Sequence, residues 1–143
     1  MSKMIFVNLP VNDLKRSIAF YEAVGAANEP KFTDQNAAMM RFSTEINVML
    51  LTHDYFGQFT TKPVADANAT AQVLLALSAD SREAVDAQIE QAGAAGGRLD
   101  PCPKQDYGLM YGRSFEDPDG HIWEVMWMDE AAAEKGAAAF EAA

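Results

Sequence analysis

Glu124 is the residue whose type and surroundings point most clearly to chemistry. It is a lone carboxylate in a strand-like and otherwise apolar stretch, residues 122–127. Successive side chains of a strand point to opposite faces, so Trp123 and Trp127 share one face. Glu124 and Met126 share the other. We expect the tryptophans to pack against a helix and Glu124 to point into a cleft. A carboxyl group there can act as a general acid or base, or accept a hydrogen bond from a ligand.

A structural role for Glu124 is an equally good alternative, because ion-pair networks also place carboxylates in clefts. Arg113 and Arg41 are the expected partners, since each lies in a strand that we predict to neighbour that of Glu124. Arg113 is in addition the best candidate in the cleft for binding an anionic group. The sequence leaves the choice between the two roles of Glu124 open.

The two histidines and the single cysteine are weaker candidates. His121 falls on the opposite strand face from Glu124 and directly follows a tight turn, where a turn-stabilising hydrogen bond is the simpler role. His53 opens a connecting loop, and we expect it to be exposed. Cys102 lies between two prolines with no neighbouring group that would lower its pKa, so we do not expect a nucleophile. So few histidines and cysteines disfavour a metal site rich in either.

The elements that must position these residues occur twice along the chain. A shift of 68 residues, from position 9 to position 77, places Leu9 on Leu77 and Gly25 on Gly93. Alternation and helical spacing in the first copy predict a strand over 5–11, a helix from Leu14 to Gly25, and strands over 29–33, 38–43 and 46–51. The second copy predicts a strand over 73–77, a helix from a capping box at 80–83 to Gly93, and strands over 97–101, 110–115 and 122–127.

Each copy is therefore predicted to form a βαβββ module, and the two modules together indicate an α+β fold in a single domain, 1–143. The first module covers residues 4–52 and the second covers 71–128, with a connecting loop over 53–70 and a C-terminal tail over 129–143 that we expect to be helical. The connecting loop carries Tyr55, Phe56 and Phe59. Long loops of this kind serve as lids or binding loops, but a packing cluster or a dimer contact fits the aromatics as well.

The turn at 117–120 is the sharpest local signal in the second module. Pro118 fixes one φ angle, Asp119 supports a local turn, and Gly120 supplies a positive φ. We expect the acidic residues of this turn, Asp117 and Asp119, to be solvated. The turn would bring the strand of Glu124 back beside the strand before it.

Composition excludes several classes of function. The chain has 143 residues, with 21 Asp and Glu against 11 Lys and Arg, for a formal net charge of −10. Nucleic acids and anionic membranes need clustered cations, so we expect neither as a partner. One cysteine excludes an internal disulfide, and no apolar stretch approaches the roughly 20 residues of a membrane span. The first residues lack the apolar stretch of a signal peptide, so we expect a cytoplasmic protein.

Two motifs, in order and around a doubled module, resemble those of the vicinal oxygen chelate superfamily. That superfamily includes glyoxalase I, the bleomycin- and fosfomycin-resistance proteins and the extradiol dioxygenases. The resemblance covers residues 4–128, and it implies tandem βαβββ modules that form a curved mixed sheet around a cleft, in a homodimer. The motif residues are Val11-Asn12-Asp13-Leu14, Ser17, Phe20-Tyr21, Asp117-Pro118-Asp119-Gly120-His121 and Glu124.

The resemblance also implies where a divalent metal would be held. Enzymes of the superfamily use one cleft-facing residue from the first and last strand of each module, and these positions fall here on Phe6, Leu50, Leu74 and Glu124. Three of the four are apolar and offer no lone pair to a metal. We therefore expect no metal and no other cofactor. If the four side chains converge, they form an apolar floor suited to a flat or aliphatic organic ligand.

Two hypotheses on function follow. The first is a metal-free protein that binds a small organic molecule between the two modules or across a dimer. Glu124, Arg113 and Asn8 would orient the ligand, and Met126 would let the pocket adapt to it. The second is a metal-dependent lyase, isomerase or dioxygenase-like enzyme that uses Glu124 with non-standard ligands and a divalent ion. The missing donors favour the first.

Overall fold

The chain folds into an α+β structure with two mixed sheets. The structure is a computed structural model that describes residues 2–140; the end of the tail that we expect to be helical, 141–143, lies outside them. The first half and the start of the connecting segment contain β1 (Ile5–Val11), α1 (Leu14–Ala23), β2 (Ala27–Glu29), β3 (Ala37–Arg41), β4 (Ile46–Thr52) and α2 (His53–Gly57).

The second half repeats the order strand, helix, strands. It contains β5 (Leu75–Ser78), α3 (Arg82–Ala94), β6 (Arg98–Leu99), β7 (Gln105–Asp106), β8 (Met110–Glu116), β9 (Ile122–Met128) and α4 (Glu130–Lys135). Short segments of 3-10 helix follow β2 (Pro30–Phe32) and α4 (Gly136–Phe140). None of the helices within residues 2–140 combines the length and apolarity needed to cross a bilayer.

Some boundaries differ from the predicted ones. The second strand of the first half ends at Glu29, because Pro30 lacks an amide hydrogen and starts a 3-10 turn. In the second half β5 begins only at Leu75, so Leu74 precedes the strand. Helix α3 continues through Gly93 to Ala94, and the short β7 has no counterpart in the predicted pattern.

The two sheets share one topology, which confirms the repeat. The first has the order β1-β4-β3-β2 and the second β5-β9-β8-β6, with β7 paired to β8 beside β6. In each sheet the first and last strands of the half are parallel and the other pairs are antiparallel. Leu9 lies opposite Leu50 and Leu77 opposite Val125, so Leu9 and Leu77, which are 68 residues apart, occupy equivalent places in the first strand of each half.

Helix α1 packs between the two sheets and joins their interiors into one hydrophobic core. The Phe20 ring lies 5.8 Å from that of Phe115 in β8, and the Tyr21 ring lies 6.0 Å from that of Trp123 in β9. Val48 of β4 and Val85 of α3 belong to the same buried cluster. Each sheet therefore turns one face to the helices and the other away from them.

The acidic turn after β8 is buried, which corrects the expectation that its carboxylates are solvated. Asp117 is 3% exposed and Asp119 5%. The Asp117 Oδ2 accepts a 2.7 Å hydrogen bond from the Tyr21 hydroxyl, and its Oδ1 accepts from the amides of Asp119 and His121, both at 2.9 Å. Burial raises the pKa of the Asp117 carboxyl above that of an exposed aspartate, although these hydrogen bonds favour its charged form.

Asp119 and His121 also form hydrogen bonds to the first half of the chain. The amide of Asn12 and the hydroxyl of Ser17 donate to the Asp119 carboxylate at 2.8 and 3.3 Å. The His121 ring bonds the carbonyl oxygen of Pro10 in β1 through Nε2, at 2.8 Å. Gly120 has the positive φ of 94° that the turn signal predicts. The turn thus holds the two halves together.

Candidate functional site

Glu124 lies on the face of β9 that points away from the helices, as the alternation predicts. Its neighbours along the chain, Trp123 and Val125, are in the core. Glu124 is half-buried between Ala76 of β5 and Ser114 of β8, its partners across the sheet. Within residues 2–140 its carboxylate takes part in no hydrogen bond and no ion pair.

Arg113 lies on the other side of this sheet, so both roles predicted for it in the cleft are wrong. It stands opposite the core residue Val125. Its Nη1 donates to the carboxylate of Asp86 in α3 at 2.9 Å, and its Nη2 to Asp100 at 2.7 Å. The hydrogen bond from Arg113 lowers the pKa of the Asp100 carboxyl below its ordinary value. Arg113 therefore stabilises the packing of β8 on α3.

Arg41, the other predicted partner of Glu124, lies on the first sheet. Its Nη2 donates to the carbonyl oxygen of Thr44 at 3.3 Å. The ion-pair role of Glu124 thus finds neither of its predicted partners within the described chain.

The exchange Glu124→Gln tests, through the stability of the protein, whether Glu124 lacks a structural ion pair. We expect the free energy of unfolding in urea to stay within about 0.5 kcal/mol of the unmodified protein, because no partner loses its charge. The same carboxyl-to-amide exchange at Asp100, which binds Arg113, should cost about 1–3 kcal/mol. A loss above about 1 kcal/mol at Glu124 would show that the chain itself uses this carboxylate.

The side of the first sheet that points away from the helices is apolar and rich in methionine. We call it the first outer face, and its members include Phe6, Asn8, Met39, Arg41, Asn47, Met49 and Leu51. The corresponding side of the second sheet, the second outer face, consists of Ala76, Ile122, Glu124 and Met126.

Two cavities open on the first outer face. One of about 560 Å³ lies between Asn8, Met49 and Leu51 and the aromatic side chains of α2 and the residues after it, Tyr55, Phe56 and Phe59. The rings of Tyr55 and Phe59 meet edge to face, with centroids 5.0 Å apart. The other, of about 300 Å³, lies between Phe6, Met49 and the exposed ring of Phe32. The connecting segment therefore forms one wall of a cavity.

The remaining predicted site residues do not converge within one chain. Phe6 and Asn8 are on the first outer face, and Glu124 and Met126 on the second. Leu74 precedes β5 and is 52% exposed. The four positions taken from the superfamily's metal set therefore form no shared hollow in a single copy.

The prediction that Leu50 lines the cleft is wrong. Leu50 is fully buried in the core, because the parallel register places it beside Leu9 on the helix side of the sheet. Its neighbours Met49 and Leu51 take the outer positions. The strand is apolar at almost every position, so no alternation in the sequence distinguished its two faces. The pairing of Met49 with Asn8 shows which face of the strand points outward, but the sequence alone does not give the register of this pairing.

A divalent metal does not fit these residues. Apart from the carboxylate of Glu124, the inferred ligand positions offer only aliphatic and aromatic groups, whereas such an ion needs three or four nitrogen, oxygen or thiolate donors. Across residues 2–140, no three His, Cys, Asp or Glu side chains are grouped so that they could hold a metal. Replacing Leu50 by Met49 in the inferred ligand set leaves this mismatch unchanged.

Comparison with solved structures supports the fold. The chain is similar to a hypothetical protein, SA1046, from S. aureus, with 24% identity and a TM-score of 0.74, over 89% of this chain and 94% of that one. A glyoxalase-related enzyme from Fulvimarina pelagi matches with 22% identity and a TM-score of 0.72, over 89% and 88%. The fosfomycin resistance protein FosX from Mesorhizobium loti matches with 18% identity and a TM-score of 0.63, over 94% and 96%.

No curated protein matches the sequence. A family model does: that of the glyoxalase/bleomycin resistance protein/dioxygenase superfamily covers residues 3–125, nearly both halves of the repeat. This agrees with the resemblance carried by the motifs around Tyr21 and Gly120. The chain therefore belongs to the glyoxalase/bleomycin resistance protein/dioxygenase superfamily.

Proposed function

We propose that the protein is a homodimer that binds a small organic molecule without a metal. Each cleft is formed by the first outer face of one copy and the second outer face of the other. One observation carries the proposal: within a chain these faces lie on opposite sides of the helices, so a cleft lined by Asn8 and Glu124 together needs a second copy.

The apolar character of the first outer face supports this proposal. Phe6 of β1 is 47% exposed, and Phe32, in the 3-10 segment that lines the same cavity, is 62% exposed, although both side chains are large and hydrophobic. Exposed apolar surface of this kind is typical of interfaces and ligand grooves. A cavity of about 560 Å³ is within the range of small-molecule sites, which are mostly apolar with a few polar groups. Asn8 and Glu124 would be those polar groups.

No observation favours the metal-dependent lyase, isomerase or dioxygenase-like alternative, since its donors other than Glu124 are not found at the inferred positions. A cytoplasmic location stays a prediction, and so does the lack of a nucleic-acid partner, which rests on the net charge of −10.

Mixed dimers of two variants test the shared cleft, with the neutral dye Nile red as the probe. Met49→Asp places a charge on the first outer face, and Met126→Asp places one on the second. Each variant alone should therefore bind the dye about tenfold or more weakly than the unmodified protein. In a mixed dimer one cleft carries both substitutions and the other carries neither. When equal amounts of the two variants exchange chains at random, about half of the dimers are mixed, so about a quarter of the wild-type sites should be recovered.

Met49→Leu, which keeps volume and apolarity, is the matched control and should bind as the unmodified protein does. Light scattering should give the mass of two chains for all variants. A monomeric mass, or mixtures that recover no binding, would contradict the shared cleft.

A further inference from the structure

The charge of Glu124 is not balanced by the chain. Ile122 and Met126 flank it along the strand, and Ala76 lies opposite. Ser114, its other neighbour, accepts a 3.0 Å hydrogen bond at its hydroxyl oxygen from the amide of Cys102. In the part of the chain that the structure describes, no cation lies within ion-pair distance of this carboxylate. A carboxylate that loses water on binding a ligand needs a cation or hydrogen-bond donors in exchange.

The face that would lie across the cleft from Glu124 suits a cation with an apolar body. Its two cavities are lined by the rings of Phe6, Tyr55 and Phe59 and the thioethers of Met39 and Met49. Arg41 also lines the smaller cavity, and its guanidinium donates to the carbonyl oxygen of Thr44. Aromatic faces attract cations through their quadrupole, and thioethers are polarisable and adapt to flat ligands. The net charge of −10 adds a long-range attraction for cations.

We propose that the ligand of this cleft is a hydrophobic organic cation, such as an ammonium or phosphonium group on an aromatic body. Glu124 pairs with the positive charge, and the aromatic and methionine side chains that line the cavities on the first outer face cover the body. This inference rests on the proposed function, because the two sets of residues meet only across two copies. It adds the sign of the ligand's charge, which that proposal leaves open.

Tetraphenylphosphonium and tetraphenylborate test the inference directly, since they share size and shape and differ in the sign of their charge. By calorimetry at low salt, we expect the cation to bind about tenfold or more tightly than the anion. Glu124→Gln should remove most of that preference. Glu22→Gln is the control, because it makes the same change of net charge at an exposed position on α1.

The outcomes separate this inference from the proposed function. Equal affinities for the two ions, or a preference that Glu124→Gln leaves intact, would overturn the inference while Nile red binding and dimerisation still stand. Equal affinities are also what a neutralising contact from Arg41 of a second copy would produce. Failure of the mixed-dimer experiment would instead remove the shared cleft itself.

Discussion

Replacing Asp117 by alanine will lower the free energy of unfolding by about 3–5 kcal/mol. The variant leaves the Tyr21 hydroxyl and the amides of Asp119 and His121 without their common acceptor, in a region that is almost closed to water. Unpaired buried donors cost far more than the net value of the hydrogen bonds they lose. Since Tyr21 belongs to α1 and the turn to the second half, the change also loosens the contact between the halves.

Urea denaturation followed by tryptophan fluorescence measures this loss, because Trp123 donates to the same Tyr21 hydroxyl at 2.9 Å. Asp80→Ala is the matched control: Asp80 is exposed, and its replacement should change stability by about 0.5 kcal/mol or less. A loss at Asp117 below about 1 kcal/mol would show that the buried carboxylate is not a structural anchor.

Gly97→Ala should lower the free energy of unfolding by about 2–3 kcal/mol. A Cβ atom at this position would lie 2.5 Å from the carbonyl oxygen of Glu116, 2.7 Å from Cε2 of Phe20 and 3.0 Å from the carbonyl oxygen of Ala92. Two of these atoms are backbone and the third belongs to a fully buried ring, so none can move aside without disturbing the core.

Gly57→Ala, at the end of α2, is the control for Gly97→Ala because nothing lies within 4 Å of a Cβ there. We expect it to be neutral or to stabilise by up to about 1 kcal/mol. Thermal unfolding should separate the two variants clearly. Equal melting temperatures would mean that the chain between α3 and β6 adapts more easily than its packing indicates.

The tandem architecture was predictable because its signals are local. Alternation identified the long strands, and Gly25 and the turn at Gly120 marked where elements end. The short strands β6 and β7 were harder, since two paired residues leave no period in the sequence. Their existence depends on the neighbouring strand β8, which supplies the hydrogen bonds.

The orientation of a site residue could be predicted only where the side chains on the two faces of its strand differ in character. Glu124 lies between large apolar side chains that point to the opposite face, and the structure places it on the predicted face. Leu50 lies in a strand without such contrast, and only the register with β1 fixes its direction. Arg113 finds its acceptors 27 and 13 residues away, on a helix and in a loop, and strand neighbourhood could not reveal either. Asp117 is buried because a distant helix covers it.

The position of α1 between the sheets separates two kinds of evolutionary constraint. Substitutions among Phe20, Tyr21 and Trp123 affect both repeats at once, so this interior can change only slowly and in concert. Met49 and Glu124 project away from it, and their replacement leaves that interior intact. If the outer faces bind the ligand as proposed, its preference can change through a few substitutions there while the packing of the interior stays the same.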